Sequence, residues 1–221
     1  MIAVLLSGGL DSAVLLAEEA ARDTVQPIYV SVGLAWEAAE RESVARLLDS
    51  GAVRDFRPLV SLTVDMSDVY AATHWAIQGR PPDYHTPDED VYLPGRNIIL
   101  LGKAAVYCAA VHIERLVIGT LAHNPFPDAT PEFRAALARA LSLGLGFPLQ
   151  IDAPFANLSK AEVVRRGFAR GVPLTLSLSC MNPAGSRHCG RCSKCRERHD
   201  AFREAGITDP TEYVDLRNVR A

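Results

Sequence analysis

Two groups of residues have types and spacings that could do chemistry. The first is Ser7-Gly8-Gly9-Leu10-Asp11-Ser12, directly behind the apolar run Ile2-Ala3-Val4-Leu5-Leu6. Glycines between a strand and a helix let backbone N–H groups approach an anion closely, and the N-terminal end of the helix adds the positive end of its dipole. Ser7 and Ser12 add hydroxyl donors. Asp11 would repel a phosphate unless a magnesium ion or a backbone cap takes up its oxygens, so its presence hints at a metal-assisted site. The plain alternative is a strand-to-helix turn that holds nothing. A Walker-type loop is excluded: six residues rather than four lie between Gly95 and Gly102-Lys103, and Ala104 stands where Ser or Thr is required.

The second group is Cys180, Cys189, Cys192 and Cys195, with eight, two and two residues between successive members. Close spacing brings thiolates onto one tetrahedral ion, and four sulfurs with no open position suit a structural zinc. An iron–sulfur cluster or a set of free buried thiols are the alternatives. His188 offers a substitute ligand beside Cys189, whereas Cys108, among Ala, Val and Tyr, reads as core.

The elements that must position these groups follow from periodicity. Ile2–Leu6 reads as a strand buried on both faces, Leu10–Arg22 as a helix, Pro27–Val32 as a strand and Glu37–Leu48 as a helix. That alternation is the mark of an α/β fold. A strand over Leu59–Val64, a helix over Val69–Ile77, a buried helix over Asn97–Val111 and a strand over Glu114–Gly119 continue it. The stretch 78–90, with three prolines and several acids, is a long loop of the kind that serves as a lid, a binding surface or a disordered segment. Thr130-Pro131 starts a helix to about Leu143, and Ser159-Lys160-Ala161-Glu162 matches the capping box of a helix reaching Arg170. A cysteine-rich turn region from Leu174 and a closing helix over Cys195–Ala205 complete the chain.

Bulk properties narrow the classes. With 221 residues, 48% of them hydrophobic, the chain can bury a substantial core. Its 23 basic and 26 acidic side chains argue against a protein that coats nucleic acid. The apolar start is too short for a signal peptide or a membrane span, and the cysteines are grouped as for metal rather than disulfides, so a cytoplasmic protein without a membrane partner is expected.

The Ser7–Ser12 hexapeptide resembles the SGGxDS pyrophosphate loop of the adenine nucleotide α-hydrolase-like superfamily. With the cysteines it stands in order with "YLPGRN" at 92–97, "PDATPEF" at 127–133, "SKAEVV" at 159–164 and "HCGRCSKCRER" at 188–198. Taken together, essentially the whole chain resembles the 7-cyano-7-deazaguanine synthase family. That resemblance implies a doubly wound, Rossmann-like parallel sheet, with an ATP-binding region over 1–173 and a small zinc-binding region over 174–221 packed on the same unit. It implies a homodimer and an ATP-dependent ligase: a 7-deazaguanine carboxylate is adenylated, ammonia displaces AMP, and a further activation turns amide into nitrile. Ser7, Gly8, Gly9, Leu10, Asp11 and Ser12 would hold the pyrophosphate with magnesium. Arg96 and Lys160 would compensate charge at phosphate or carboxylate, the alternative for each being a surface ion pair. Glu132 would be catalytic or would only favour its helix N-terminus.

The chain departs from the family pattern in two places. A polar Gly-Gln-Arg-His stretch is replaced by Val32-Gly33-Leu34-Ala35-Trp36-Glu37, and an acidic stretch with Ser-Gly-Tyr by Leu121-Ala122-His123-Asn124-Pro125-Phe126. Asn97, His123, Asn124 and Asp128 are therefore the substrate-binding candidates, and Trp36 or Phe126 could stack on a planar ring. Two further readings stand beside the nitrile-forming ligase. One is a related enzyme adenylating another carboxylate or amide. The other, lower-ranked, is a nucleic-acid module built on "SRHCGRCSKCRERH".

Overall fold

The computed structural model describes residues 1–219. Five strands form one sheet in the order β3-β2-β1-β4-β5, where β1 is Ile2–Leu5, β2 Val25–Ser31, β3 Val60–Thr63, β4 Arg115–Val117 and β5 Gln150–Asp152. Every pairing is parallel. The chain winds outward from β1 to β3 and then returns to the other side of β1 at β4. This places a switch point between β1 and β4, the crevice in which open α/β sheets bind ligands.

Alternation along the strands explains the two apolar layers. Ala3, Leu5, Ile28, Val30 and Leu116 point into one cluster, which the helices α4 (Arg96–Ala110) and α5 (Pro131–Leu145) cover. Ile2, Val4, Val25, Tyr29 and Val117 point the other way, into a cluster with α1 (Leu10–Ala20), α2 (Glu37–Asp49), α6 (Lys160–Ala169) and α7 (Ser193–Ala205). Residues beyond 174 belong to both layers: Leu178 and the four cysteines join the first, Leu174, Ala201 and Phe202 the second.

The expected strand over Leu59–Val64 is shorter, and its exposed and half-buried residues alternate as befits an edge. The expected helix over Val69–Ile77 is mostly absent. Only Trp75–Gln78 (α3) is helical, because His74 Nδ1 accepts from Ala76 N–H at 3.2 Å and caps the chain there. Tyr70 meanwhile turns inward and donates to the Pro94 carbonyl at 3.1 Å. The loop over 78–90 leads into a single 3-10 turn, Asp88–Val91. The capping box on α6 forms in full, and α7 begins two residues earlier than the sequence pattern suggests, with Cys192 as its N-cap. No helix among the described residues is long and apolar enough to cross a membrane.

Candidate functional site

A cavity of about 470 Å³ opens at the switch point, bounded by the turn after β1, the N-terminal ends of α1, α4 and α6, and residues Gly119–Phe126. Gly9 is the N-cap of α1 and no side chain satisfies its first-turn N–H groups, which leaves them for a ligand. Gly8 has φ of +78°, and a Cβ there would meet the Glu40 carbonyl at 3.0 Å, so a side chain fits neither sterically nor conformationally. The turn is held from behind: Leu178 N–H donates to the Gly8 carbonyl at 2.8 Å, and Ser43 Oγ donates to the carbonyls of Gly8 and Leu176. Ser12 Oγ donates to the Gly9 carbonyl at 3.0 Å and lies 3.3 Å from Ser7 Oγ.

Asp11, in the first turn of α1, has one oxygen 3.1 Å from Lys160 Nζ, while its Oδ1 is buried with no hydrogen-bond partner. An orphaned carboxylate oxygen beside an anion cradle fits a magnesium ion, a hard cation that takes oxygen ligands and shares them with phosphate. Burial raises the Asp11 pKa, against the pull of the Lys160 ammonium. Burial also works against the charge on Lys160, but Asp11 and Glu197 outweigh it and hold that ammonium above its ordinary range. Lys160 is the first residue of α6, and its Nζ also donates to Glu197 Oε1 at 2.9 Å.

Arg96 opens α4 on the opposite wall, with its Nε buried and unpartnered. Glu40 lies on the same wall. Its carboxylate accepts from Tyr29 Oη at 2.9 Å and Trp36 Nε1 at 3.1 Å, and burial raises its pKa while the Arg96 charge opposes. Trp36 stacks on Trp75 at 5.9 Å, and Glu37 accepts from Val32 N–H at 2.7 Å. The altered segment Val32–Glu37 thus closes the end of β2 with its own carboxylate and supplies an aromatic wall.

The acceptor candidates are less uniform. Asp128 is buried and accepts from Asn97 N–H at 3.0 Å and Asn97 Nδ2 at 3.3 Å, so these two spend part of their capacity on each other. His123 and Asn124 are exposed on the cavity rim, His123 with φ of +58°, and Asn124 Oδ1 accepts from Phe126 N–H at 3.0 Å. Phe126 stacks on Tyr92 at 5.0 Å, so an aromatic pair, not a lone ring, faces the cavity. Glu132 lies outside: it is exposed in the first turn of α5, where Thr130 caps the helix, and it does not line the cavity.

Cys180, Cys189, Cys192 and Cys195 are all buried, with their sulfurs within 4.8 Å of one another. Backbone N–H groups of Asn182 and Cys189 donate to Cys180 Sγ at 3.3 and 3.2 Å, and that of Arg191 to Cys189 Sγ at 3.4 Å. Such donors favour thiolates, so four converging sulfurs with this support fit a zinc ion. His188 is outside the cluster, since its Nε2 accepts from Ser179 N–H at 3.0 Å; burial and the nearby Arg198 push its pKa down to about 3. The chain between 80 and 90 is tied to α7: Arg196 donates to the carbonyls of Tyr84 and Thr86 at 2.9 and 2.8 Å and to Asp88 at 3.0 Å. Lys194, Glu197, Glu40 and Trp75 also line the cavity. The sequence reading missed all four, and only the helical i, i+3 spacing of Lys194 and Glu197 could have drawn attention to them.

Comparison with known proteins finds relatives along almost the whole chain. A family model described as queuosine biosynthesis protein QueC matches residues 1–206. The 7-cyano-7-deazaguanine synthase of Anaeromyxobacter dehalogenans is 35% identical, covering 96% of this chain and 94% of its own. The synthase of Methanoculleus marisnigri is 36% identical (95% and 96% covered), and that of Methanopyrus kandleri 35% (96% and 98%). A family match over most of the length, with relatives this similar from end to end, means that the chain belongs to the QueC family.

Proposed function

We propose that this protein is an ATP-dependent ligase that converts 7-carboxy-7-deazaguanine and ammonia into 7-cyano-7-deazaguanine, a queuosine precursor. Family membership supports the reaction, and one structural observation supports its placement. The Asp11–Lys160 pair, with the orphaned Asp11 oxygen, stands beside the open N-terminus of α1 at the sheet's switch point.

A carboxylate is a poor acyl donor, so its oxygen must first bond to the α-phosphorus of ATP while the bond to the β-phosphate oxygen breaks and pyrophosphate leaves. On this reading the N–H groups of Leu10 through Ser12 cradle the departing pyrophosphate, and Lys160 offsets its charge. Asp11 would hold magnesium, which neutralises phosphate charge when bound. Arg96, unpartnered at Nε, is positioned to meet the acid or the α-phosphate, and Asp128 with Asn97 to meet the ring's hydrogen-bonding edge. Ammonia then attacks the activated carbonyl and AMP departs; the amide oxygen next attacks the α-phosphorus of a second ATP, releasing pyrophosphate, and loss of two protons from nitrogen with departure of AMP carrying that oxygen leaves the nitrile. The region after 174, whose four cysteines would hold zinc, braces this pocket through Leu178. The family resemblance also supports a homodimer working in the cytoplasm.

The exposed His123 and Asn124 favour a second reading, in which the same ATP site activates a different carboxylate. The test is direct. Purified protein is incubated with ATP, magnesium, ammonium and 7-carboxy-7-deazaguanine, and mass spectrometry follows nitrile and AMP. Formation of both supports the assignment; ATP binding without consumption of this acid overturns it in favour of another acceptor.

A further inference from the structure

We propose that Lys194 is a second phosphate-facing cation of this pocket, and that Glu197 is the positioning residue that staples it to Lys160. The inference rests on the nucleotide reading above and adds two residues to it. Glu197 uses both oxygens: Oε1 accepts from Lys160 Nζ at 2.9 Å and Oε2 from Lys194 Nζ at 2.7 Å. Two ammonium groups brought this close repel one another unless an anion lies between them, and the carboxylate is that anion. The residues come from different helices, Lys160 from the start of α6 and the other two from the start of α7, and all of them line the cavity beside the turn at Ser7–Ser12.

Proton counting shows what the staple leaves free. An ammonium has three N–H donors. Lys160 directs one to Asp11 and one to Glu197, which fixes the direction of the third. Lys194 directs one to Glu197 and keeps two. With two acids and two bases the cluster is neutral before a polyphosphate arrives, so the incoming anion meets free N–H groups rather than a field that would hold any anion indiscriminately. An ordinary i, i+3 ion pair on a helix surface would explain Lys194 and Glu197 alone. It would not explain the third member from another helix, or side chains only 25% and 23% exposed at a cavity wall.

The site of Lys194 in the chain matters as well. It lies between Cys192, the N-cap of α7, and Cys195. The turn that gathers the sulfurs therefore also aims the first turn of α7 at the N-terminus of α6, and the cation reaches the pocket as part of that turn.

The test uses the sign of an effect. Glu197→Gln removes a negative charge beside an anion site, so charge alone predicts tighter binding of a triphosphate, whereas the staple predicts weaker binding. Full-length zinc-loaded protein is titrated calorimetrically with α,β-methylene-ATP plus magnesium, with pyrophosphate, and with adenosine. Zinc content and thermal midpoint are recorded for each variant. Lys194→Met and Glu197→Gln are expected to bind the triphosphate and pyrophosphate about tenfold more weakly, with adenosine unchanged. In turnover the KM for ATP rises while kcat is largely kept, and Glu197→Asp recovers part of the loss. Tighter triphosphate binding by Glu197→Gln, or binding by Lys194→Met within twofold of wild type, overturns the inference while leaving the nucleotide site intact. Should Glu197→Gln lose zinc, the Lys194→Met titration decides. Failure of the wild-type protein to bind any triphosphate would instead overturn the nucleotide reading itself.

Discussion

Arg198 offers a sharp check on how this fold is held together. It is the largest fully buried side chain among the described residues, and no carboxylate there lies within ion-pair distance of it. Its charge is met by neutral acceptors: the Leu174 carbonyl at 2.8 Å, Thr211 Oγ1 at 2.6 Å, Ser177 Oγ at 2.9 Å and Ser179 Oγ at 3.3 Å, with the Phe202 ring 5.3 Å from the guanidinium. Arg198→Met keeps an apolar stem and withdraws every donor. Four charge-assisted bonds at about 1.5–3 kcal/mol each sum to roughly 6–12 kcal/mol. Against this stands the several kcal/mol of desolvation that disappears with the charge. The Leu174 carbonyl also keeps the backbone N–H of Ser177 at 3.2 Å in either variant, and the hydroxyls can turn. A net loss of about 3 kcal/mol is expected, which in a chain of this length lowers the thermal midpoint by roughly 6–12 °C. The assay is urea and thermal unfolding at saturating zinc, with the triple variant Arg198→Met/Ser177→Ala/Thr211→Val alongside. Removing the abandoned hydroxyls together with the arginine should restore more than half of the loss, because the larger cost lies in buried polar groups left without partners. A single variant as stable as wild type, or a triple variant no better than the single, would refute the argument. Because Arg198 anchors the segment Leu174–Ser179, and Leu178 in turn holds Gly8, the single variant should also bind ATP more weakly.

Three further outcomes are expected. Gly8→Ala forces a side chain onto positive φ and against the Glu40 carbonyl; it should cost about 1–3 kcal/mol and abolish nucleotide binding measured by calorimetry, with zinc content unchanged. Cys195→Ser or treatment with a strong chelator should release about one zinc per chain by elemental analysis and lower the thermal midpoint sharply, since the binding energy of a closed structural site is folding energy. Cys108, buried and with its pKa pushed up to about 12 by that burial, should stay unlabelled by a thiol reagent at pH 8 in zinc-loaded native protein and react only on unfolding.

The parts of the fold with strong local signals could be read from the chain alone. β1 is an unbroken apolar run and β2 carries Ile28-Tyr29-Val30 because both faces of the sheet are covered, and α6 carries its start signal in Ser159 and Glu162. β5 went unseen because three residues, Gln150–Asp152, are too few to show a period. The expected helix from Val69 failed because one tertiary bond, Tyr70 to Pro94, and one local cap, His74 on its own turn, outweigh weak local propensity. The candidate site divides in the same way. Ser7–Ser12, Lys160 and the cysteines are marked by type and spacing. Glu40, Lys194 and Glu197 are brought to the cavity only by the packing of distant elements, while Glu132, which matched a motif by position, stands away from it.

The bond from Leu178 N–H to the Gly8 carbonyl joins residues 170 positions apart across the end of β1. During synthesis the Ser7–Ser12 turn precedes its backing, which arrives only when the segment after α6, and the cysteine turn that fixes that segment, have cleared the ribosome. A nascent chain halted short of α7 would carry the whole pyrophosphate motif and still lack a formed cradle. On the proposed reading, competence to bind nucleotide therefore waits on residues far along the chain from the turn itself.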